Sequence, residues 1–268
     1  MSIATDLQNV YENLDSALND CNEALVEKGI TGFGNSVWDV GHGIRKVKDG
    51  RDLVSLIERD LLSFVAPSDL RTVGNYAFSE NTSLTSVDFS ACSFLILNHY
   101  AFYNCENLST VILPNEVEVT AYGNYVFSDC TSLVEISFPI RTSMGGYIFK
   151  NCTNLEKVNF SEGLTAVGIG TFQNCSKINN IVLPTTCIAS IYGATFENCS
   201  NLDTLVLKSN TKINLISTSA FTNTPIASGT GYIYVPSALL SEYQSATNWA
   251  TYSSQFRAIE DYPDIVGG

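Results

Sequence analysis

One phenylalanine recurs along this chain at a nearly constant interval, and nothing else in the sequence restricts the fold as much. Phe78, Phe102, Phe127, Phe149, Phe172, Phe196 and Phe221 follow one another at steps of 24, 25, 22, 23, 24 and 25 residues. The best copy runs from Tyr100-Ala101-Phe102 through Asn104-Cys105 and Leu108 to Val111-Ile112-Leu113-Pro114. A period of this size signals a solenoid, in which one short unit cannot bury its own apolar face and neighbouring units bury it together.

The columns around the anchor say which face that is. Six residues after each Phe stand Leu84, Leu108, Leu133, Leu155, Ile178 and Leu202. Three further on come Val87, Val111, Ile136, Val158, Ile181 and Leu205, and two beyond those Phe89, Leu113, Phe138, Phe160, Leu183 and Leu207. Five before each Phe lie Val73, Leu97, Tyr122, Met144, Val167, Ile191 and Ile216. The pair at +9 and +11 has the period of a strand with one face inward. Copies running in one direction make the sheet parallel, and strands about 4.8 Å apart give seven coils a core of roughly 30 to 35 Å. Pro114, Pro139 and Pro184, each directly after a strand, fit a sharp exit from the sheet.

The spacing Val73-Gly74-Asn75-Tyr76-Ala77-Phe78, with Phe196-Glu197-Asn198-Cys199-Ser200-Asn201-Leu202 as its continuation, resembles the BspA-type leucine-rich repeats of bacterial surface proteins and some phage proteins. The likeness covers about residues 60 to 262. It implies an α/β repeat solenoid, right-handed, with short parallel strands, acting as a non-enzymatic binding or structural scaffold. The division that follows is an N-terminal helical module over 1–50, a cap and half repeat over 51–72, the solenoid over 73–230, and a C-terminal strand with a helical cap over 231–268.

The composition suits that reading. A hydrophobic content of 45% supports a real core, and the net charge of −13 leaves no basic stripe for a phosphate backbone, so nucleic acid is not the expected partner. Five of the eight cysteines, Cys105, Cys130, Cys152, Cys175 and Cys199, share the position three after Phe. Stacked coils turn them into a column of buried thiols rather than a disulfide framework. Asn81 and Thr224 take that position in the end copies, and Cys21, Cys92 and Cys187 fall outside it. No cofactor or metal is expected, since metal sites want short paired spacings with His. The two histidines, His42 and His99, lie in different modules, and the carboxylates have no recurrent partner, so no catalytic set converges. Sequons at Asn81, Asn107, Asn151, Asn174 and Asn198 follow from the repeat itself. Met1 to Asp6 shows neither a basic start nor an apolar stretch, so no signal peptide is expected, and no run reaches the length of a membrane span.

Ahead of the repeats, residues 2–28 have helical periodicity. Ile3, Leu7, Val10, Leu14, Leu18 and Cys21 are candidates for an oligomerisation stripe, widened by Tyr11, Ala17, Ala24 and Leu25. Three apolar columns suit self-association and docking within one chain equally, and both stay open. Gly29 ends the helix, residues 29–36 form a Gly-rich link, and Ser36 can cap a second short helix bearing Val37, Val40, Ile44 and Val47. This leader resembles that of phage and prophage tail-associated proteins. Leu62-Ser63-Phe64 is expected to form a half-repeat strand. At the other end Tyr232 to Val235 suggests a last strand, and Ser237 a cap for a helix carrying Leu239, Leu240 and Tyr243. Trp249, Tyr252, Phe256 and Ile259 would extend its apolar face, and residues 261–268 would be loose.

What remains for function is surface. Two residues before Phe stand Tyr76, Tyr100, Tyr125 and Tyr147, then Gly170, Ala194 and Ser219. Four adjacent coils would thus carry an aromatic ladder able to meet sugar rings or an apolar patch, or else merely stack on itself. The strand column Ser86, Thr110, Glu135, Lys157, Asn180 and Thr204 is the second candidate surface. Three settings fit. The first is a virion component that oligomerises or docks through its N-terminal helix and presents the solenoid to a receptor. The second is a bacterial cell-surface adhesin binding host protein or glycan, and the third an intracellular interaction scaffold.

Overall fold

The computed structural model describes residues 61–266 except 67, 69, 94, 115–118, 139–143 and 189, with backbone alone at 119–122 and 266. The chain divides into two units, Met1–Glu58 and Arg59–Gly268, and every described residue belongs to the second. The helical readings over 2–28 and 36–50 therefore lie outside the described residues.

Each coil contributes one short strand to a parallel array, and the strands hydrogen-bond in three groups. β1 (Ser63–Val65), β3 (Ser86–Asp88) and β5 (Thr110–Ile112) pair in register, with Phe64 opposite Val87 and Val87 opposite Val111. β7 (Glu135–Phe138) pairs with β8 (Lys157–Phe160). The remaining strands run in the order β9 (Asn180–Leu183), β10 (Thr204–Leu207), β11 (Tyr232–Val235) and β12 (Phe256–Ala258). Strand residues alternate as the period of two requires: Val87, Val111, Ile136, Val158, Ile181 and Leu205 are all buried.

The apolar column five before Phe belongs to a second parallel sheet on another side of the coil. β2 (Thr72–Val73), β4 (Leu95–Leu97) and β6 (Val119–Tyr122) pair so that Val73 faces Leu97 and Leu97 faces Tyr122, and an Ile191–Leu215 bridge continues the pattern. At Gly123 a Cβ would collide with the backbone of Asn98 and His99, so this sheet permits only glycine there.

Between the sheets the seven anchors form one continuous stack. Successive ring centroids lie 5.0, 5.3, 5.8, 5.7, 5.8 and 5.5 Å apart from Phe78 to Phe221, with near-parallel planes. Phe64 meets the first ring at 5.1 Å, and Trp249 and Tyr252 meet the last at 5.9 and 5.2 Å. Beside this stack each thiol donates to the carbonyl of the preceding coil's anchor: Cys105 to Phe78, Cys130 to Phe102, Cys152 to Phe127, Cys175 to Phe149 and Cys199 to Phe172, at 2.9 to 3.2 Å. A cysteine here fills a small apolar space and also gives a second donor to a buried carbonyl that already accepts the N–H three residues on, which alanine would not.

Several expectations shift in detail. The half repeat is displaced: Phe64, not Leu62, takes the Val87 column, and Leu62 is 66% exposed. In the seventh coil the bridge to Ile191 comes from Leu215, so Ile216 points outward and is 53% exposed. Ser237 does not cap a helix through its side chain. It begins a 3-10 turn, its N–H is held by the Glu260 carboxylate, and the α-helix starts at Leu240. Phe256 lies in β12 rather than on a helix, which a buried strand after the 3-10 stretch Trp249–Gln255 explains. Residues 263–266 form a helical turn, and Tyr262 packs edge-on against Tyr234 at 5.3 Å, so this part of the tail is ordered, while residues 267 and 268 lie outside the described residues. Cys92 and Cys187, outside the thiol column, are buried and have interactions of their own.

Candidate binding surface

The four tyrosines two residues before Phe stand at a tight corner that returns each coil toward the anchor. Tyr76, Tyr100, Tyr125 and Tyr147 have φ of 59, 58, 59 and 60°, the left-handed region that bulky side chains avoid. Gly170 and Ala194 adopt the same conformation in the next two coils at 59 and 58°. Holding a tyrosine there costs about 1 kcal/mol. Stacking returns a comparable amount, roughly 0.5–1.5 kcal/mol per pair. The Tyr N–H donates to the next coil at His99, Asn124, Gly146 and Ile169 in turn, which keeps the corners in line.

In this frame the rings lie 4.8, 4.9 and 4.8 Å apart with planes inclined by 4, 4 and 9°. They cover one another's faces, and each of the four residues is at least partly exposed. Tyr76 at the start is 49% exposed. At the other end the ring of Tyr147 fills the space a Cβ on residue 170 would need, so Gly170 closes the row sterically. Lys150 brings its Nζ to 5.7 Å from the Tyr147 ring, and Tyr103 meets Tyr100 edge-on at 5.7 Å. The Asp129 carboxylate beside Tyr103, with burial and Glu80 adding to it, raises that phenol's pKa, and burial raises that of Tyr125.

A polar ladder flanks the row. Two residues after each Phe the backbone is again left-handed, at Glu80, Asn104, Asp129, Asn151, Asn174, Asn198 and Asn223, with φ from 57 to 66°. Asn and Asp tolerate this conformation best after Gly. From the last coil the side-chain amides donate in one direction, Asn223 to Asn198, Asn198 to Asn174, Asn174 to Asn151 and Asn151 to Asp129, at 2.6 to 2.7 Å. This ladder was not foreseen, although the recurrence of Asn before Cys carried the signal. The amide nitrogens at the sequons Asn151, Asn174 and Asn198 serve the ladder, Asn107 donates to Thr82, and Asn81 is buried with its oxygen on the Ser83 and Leu84 N–H groups.

His99 is exposed and structural, its Nδ1 accepting from the Asn124 N–H at 2.9 Å. Along the outer strand column Lys157 pairs with Glu135 at 3.7 Å between two solvent-exposed side chains. The same face is closed near the C-terminus, where Val206 and Tyr234 are buried. Beyond the tyrosine row, Ile169, Tyr192 and Ile216 provide exposed apolar side chains in the fifth to seventh coils. The candidate stripe Ile3, Leu7, Val10, Leu14, Leu18 and Cys21, like His42, lies outside the described residues. Among the described residues no group of three or more His, Cys, Asp and Glu could hold a metal, and no helix is long and apolar enough to cross a membrane.

A family model described as BspA type leucine rich repeat region matches residues 57–145 and 120–239 in six copies. Among solved structures, the leucine rich repeat protein of T. pallidum is 26% identical, with 57% of this chain and 72% of that chain covered and a TM-score of 0.51. A leucine-rich repeat protein from Eubacterium ventriosum is also 26% identical with a TM-score of 0.51, covering 62% of this chain and 44% of that one. A search of curated proteins gave no match.

Proposed function

The chain belongs to the BspA-type leucine-rich repeat family, and from that premise we propose a non-enzymatic binding scaffold whose contact surface is the row Tyr76, Tyr100, Tyr125 and Tyr147. The observation that carries this reading is the backbone conformation. Four successive coils keep a tyrosine where Gly170 and Ala194 satisfy the same corner without an aromatic ring. Strained residues retained at the surface mark sites of function more often than sites of packing.

The partner we favour is a protein on a cell surface. Because the rings hide one another's faces, a sugar would meet edges and hydroxyls rather than a flat platform, whereas a protein interface accepts both. A host glycan is the second ligand class. The setting we favour is a phage or prophage virion component attached through the N-terminal stripe, on the strength of the leader's resemblance; the alternative is a bacterial adhesin. Tail or capsid genes beside the coding sequence support the first, and a wall anchor in the full gene the second.

The contact surface is tested by surface plasmon resonance of the full chain and a Tyr100→Ala/Tyr125→Ala variant against host cells and glycan arrays. At least a tenfold weaker binding is expected, since two central aromatic contacts contribute on the order of 2 kcal/mol or more. Equal binding by a folded variant removes the row from the account. Attachment fails separately if deleting residues 1–50 leaves both oligomeric state and particle binding unchanged.

A further inference from the structure

The tyrosine row meets the conditions for covalent coupling between coils. Its rings lie 4.8 to 4.9 Å apart and nearly parallel, and each of the four residues is at least partly exposed. No hydrogen bond from a described residue holds any of the four hydroxyls. The coil ladder fixes the pairs together, and reactants held in contact react as though at very high concentration. The other ring pairs differ in kind: Tyr234 with Tyr262, Tyr232 with Tyr234, and Tyr100 with Tyr103 meet edge-on, at 5.3, 6.5 and 5.7 Å.

We propose that Tyr76, Tyr100, Tyr125 and Tyr147 form an oxidative cross-linking site, at which a haem peroxidase with hydrogen peroxide joins neighbouring coils of one chain through dityrosine. Each of two adjacent phenols gives up one electron and one proton. The two phenoxyl radicals couple through one ring carbon ortho to each oxygen, and the ring hydrogens at those carbons return to the oxygens as the rings regain aromaticity. Overall one carbon–carbon bond forms, two ring C–H bonds break and both O–H bonds are remade, while the peroxide takes up two electrons and two protons to leave as two waters. Coupling requires each ring to turn edge-on to its neighbour about its Cβ–Cγ bond and the two corners to draw closer, so that the ortho carbons meet. Each product link staples two adjacent coils, independent of whether the row also binds a partner.

The test treats the full chain with horseradish peroxidase and hydrogen peroxide, then reads dityrosine fluorescence and maps linked peptides by mass spectrometry. The expected products are monomeric chains lighter by two hydrogens per link, joined between row tyrosines, with a yield unchanged over about a hundredfold dilution. Tyr100→Phe/Tyr125→Phe keeps the stacked rings but removes every adjacent phenol pair within the row, and should lower the yield about tenfold by removing those high effective concentrations. Tyr192→Phe, outside the row, should leave it unchanged. Links confined to separate chains or to Tyr232, Tyr234 and Tyr262, or an unaltered yield from the double variant with an unaltered melting curve, would overturn the proposal.

Discussion

Two aromatic ladders run through the same coils, and they differ in almost every respect but spacing. The phenylalanine stack is buried, extends from the first coil to the seventh, and is met at its ends by Phe64 and by Trp249 and Tyr252. The tyrosine row stands at a strained corner, is open at Tyr76 and stops at Gly170. An interior column must continue because each missing ring leaves a void between two coils. An exterior column can stop wherever its purpose ends. Persistence therefore marks structure here, and interruption marks a surface under separate demands.

The sharpest way to break this contrast is alkali, which opposes the burial of the interior thiols. Burial raises the pKa of Cys130, Cys152 and Cys175 well above the usual 9.0 and that of Cys105 and Cys199 up to about 12. A group whose folded pKa lies above its unfolded one contributes stability that is complete below the unfolded value and is lost as pH rises toward the folded value. Between pH 9 and 12 each thiol should withdraw about 1.4 kcal/mol per pH unit. Cooperative unfolding within that window, followed by circular dichroism, is the expected result. Below it, a thiol reagent should leave the seven described cysteines unlabelled until denaturant is added, because they are buried.

Next in size is the loss of a single interior ring. Phe127→Ala in the middle of the stack should cost about 3–5 kcal/mol in urea unfolding; a loss under 1 kcal/mol would mean the coils collapse onto the gap and the interior stack is as dispensable as the exterior row. Asn174→Ala, which removes one amide bond to each side and places alanine at a left-handed φ of 66°, should cost about 1–3 kcal/mol. The smallest effect belongs to the outer row. Tyr125→Gly relieves backbone strain while losing two stacking contacts, so the melting midpoint should move by the equivalent of about 1 kcal/mol or less. A loss as large as that of Phe127→Ala would make the row part of the core and end its use as evidence for a binding surface.

Much of this organisation was legible from residue types and their spacing, as the Phe, Leu and Cys columns show. The failures share a cause. Leu62 and Phe64, or Leu215 and Ile216, are apolar neighbours one or two positions apart, and toward the ends of a repeat array the column that would fix which of them faces inward is less regular. The phenylalanines of the regular coils left no such freedom. Phe256 is ambiguous for a related reason: a short apolar stretch suits a strand and a helix alike, and only the edge offered by β11 settles the choice.

For the candidate surface the sequence disclosed that four tyrosines share one position, and no more than that. Whether their faces are open or covered depends on the left-handed corner and on the tilt of each ring, which sequence spacing does not encode. The asparagines were legible as a repeated residue, but their linkage into a one-way chain ending at Asp129 depends on side chains of different coils coming within 2.7 Å. The chain alone determined that its coils share one interior, since apolar periodicity is a local property of residues. Only the folded structure decided what the exterior offers, because surface geometry arises where coils distant in sequence meet.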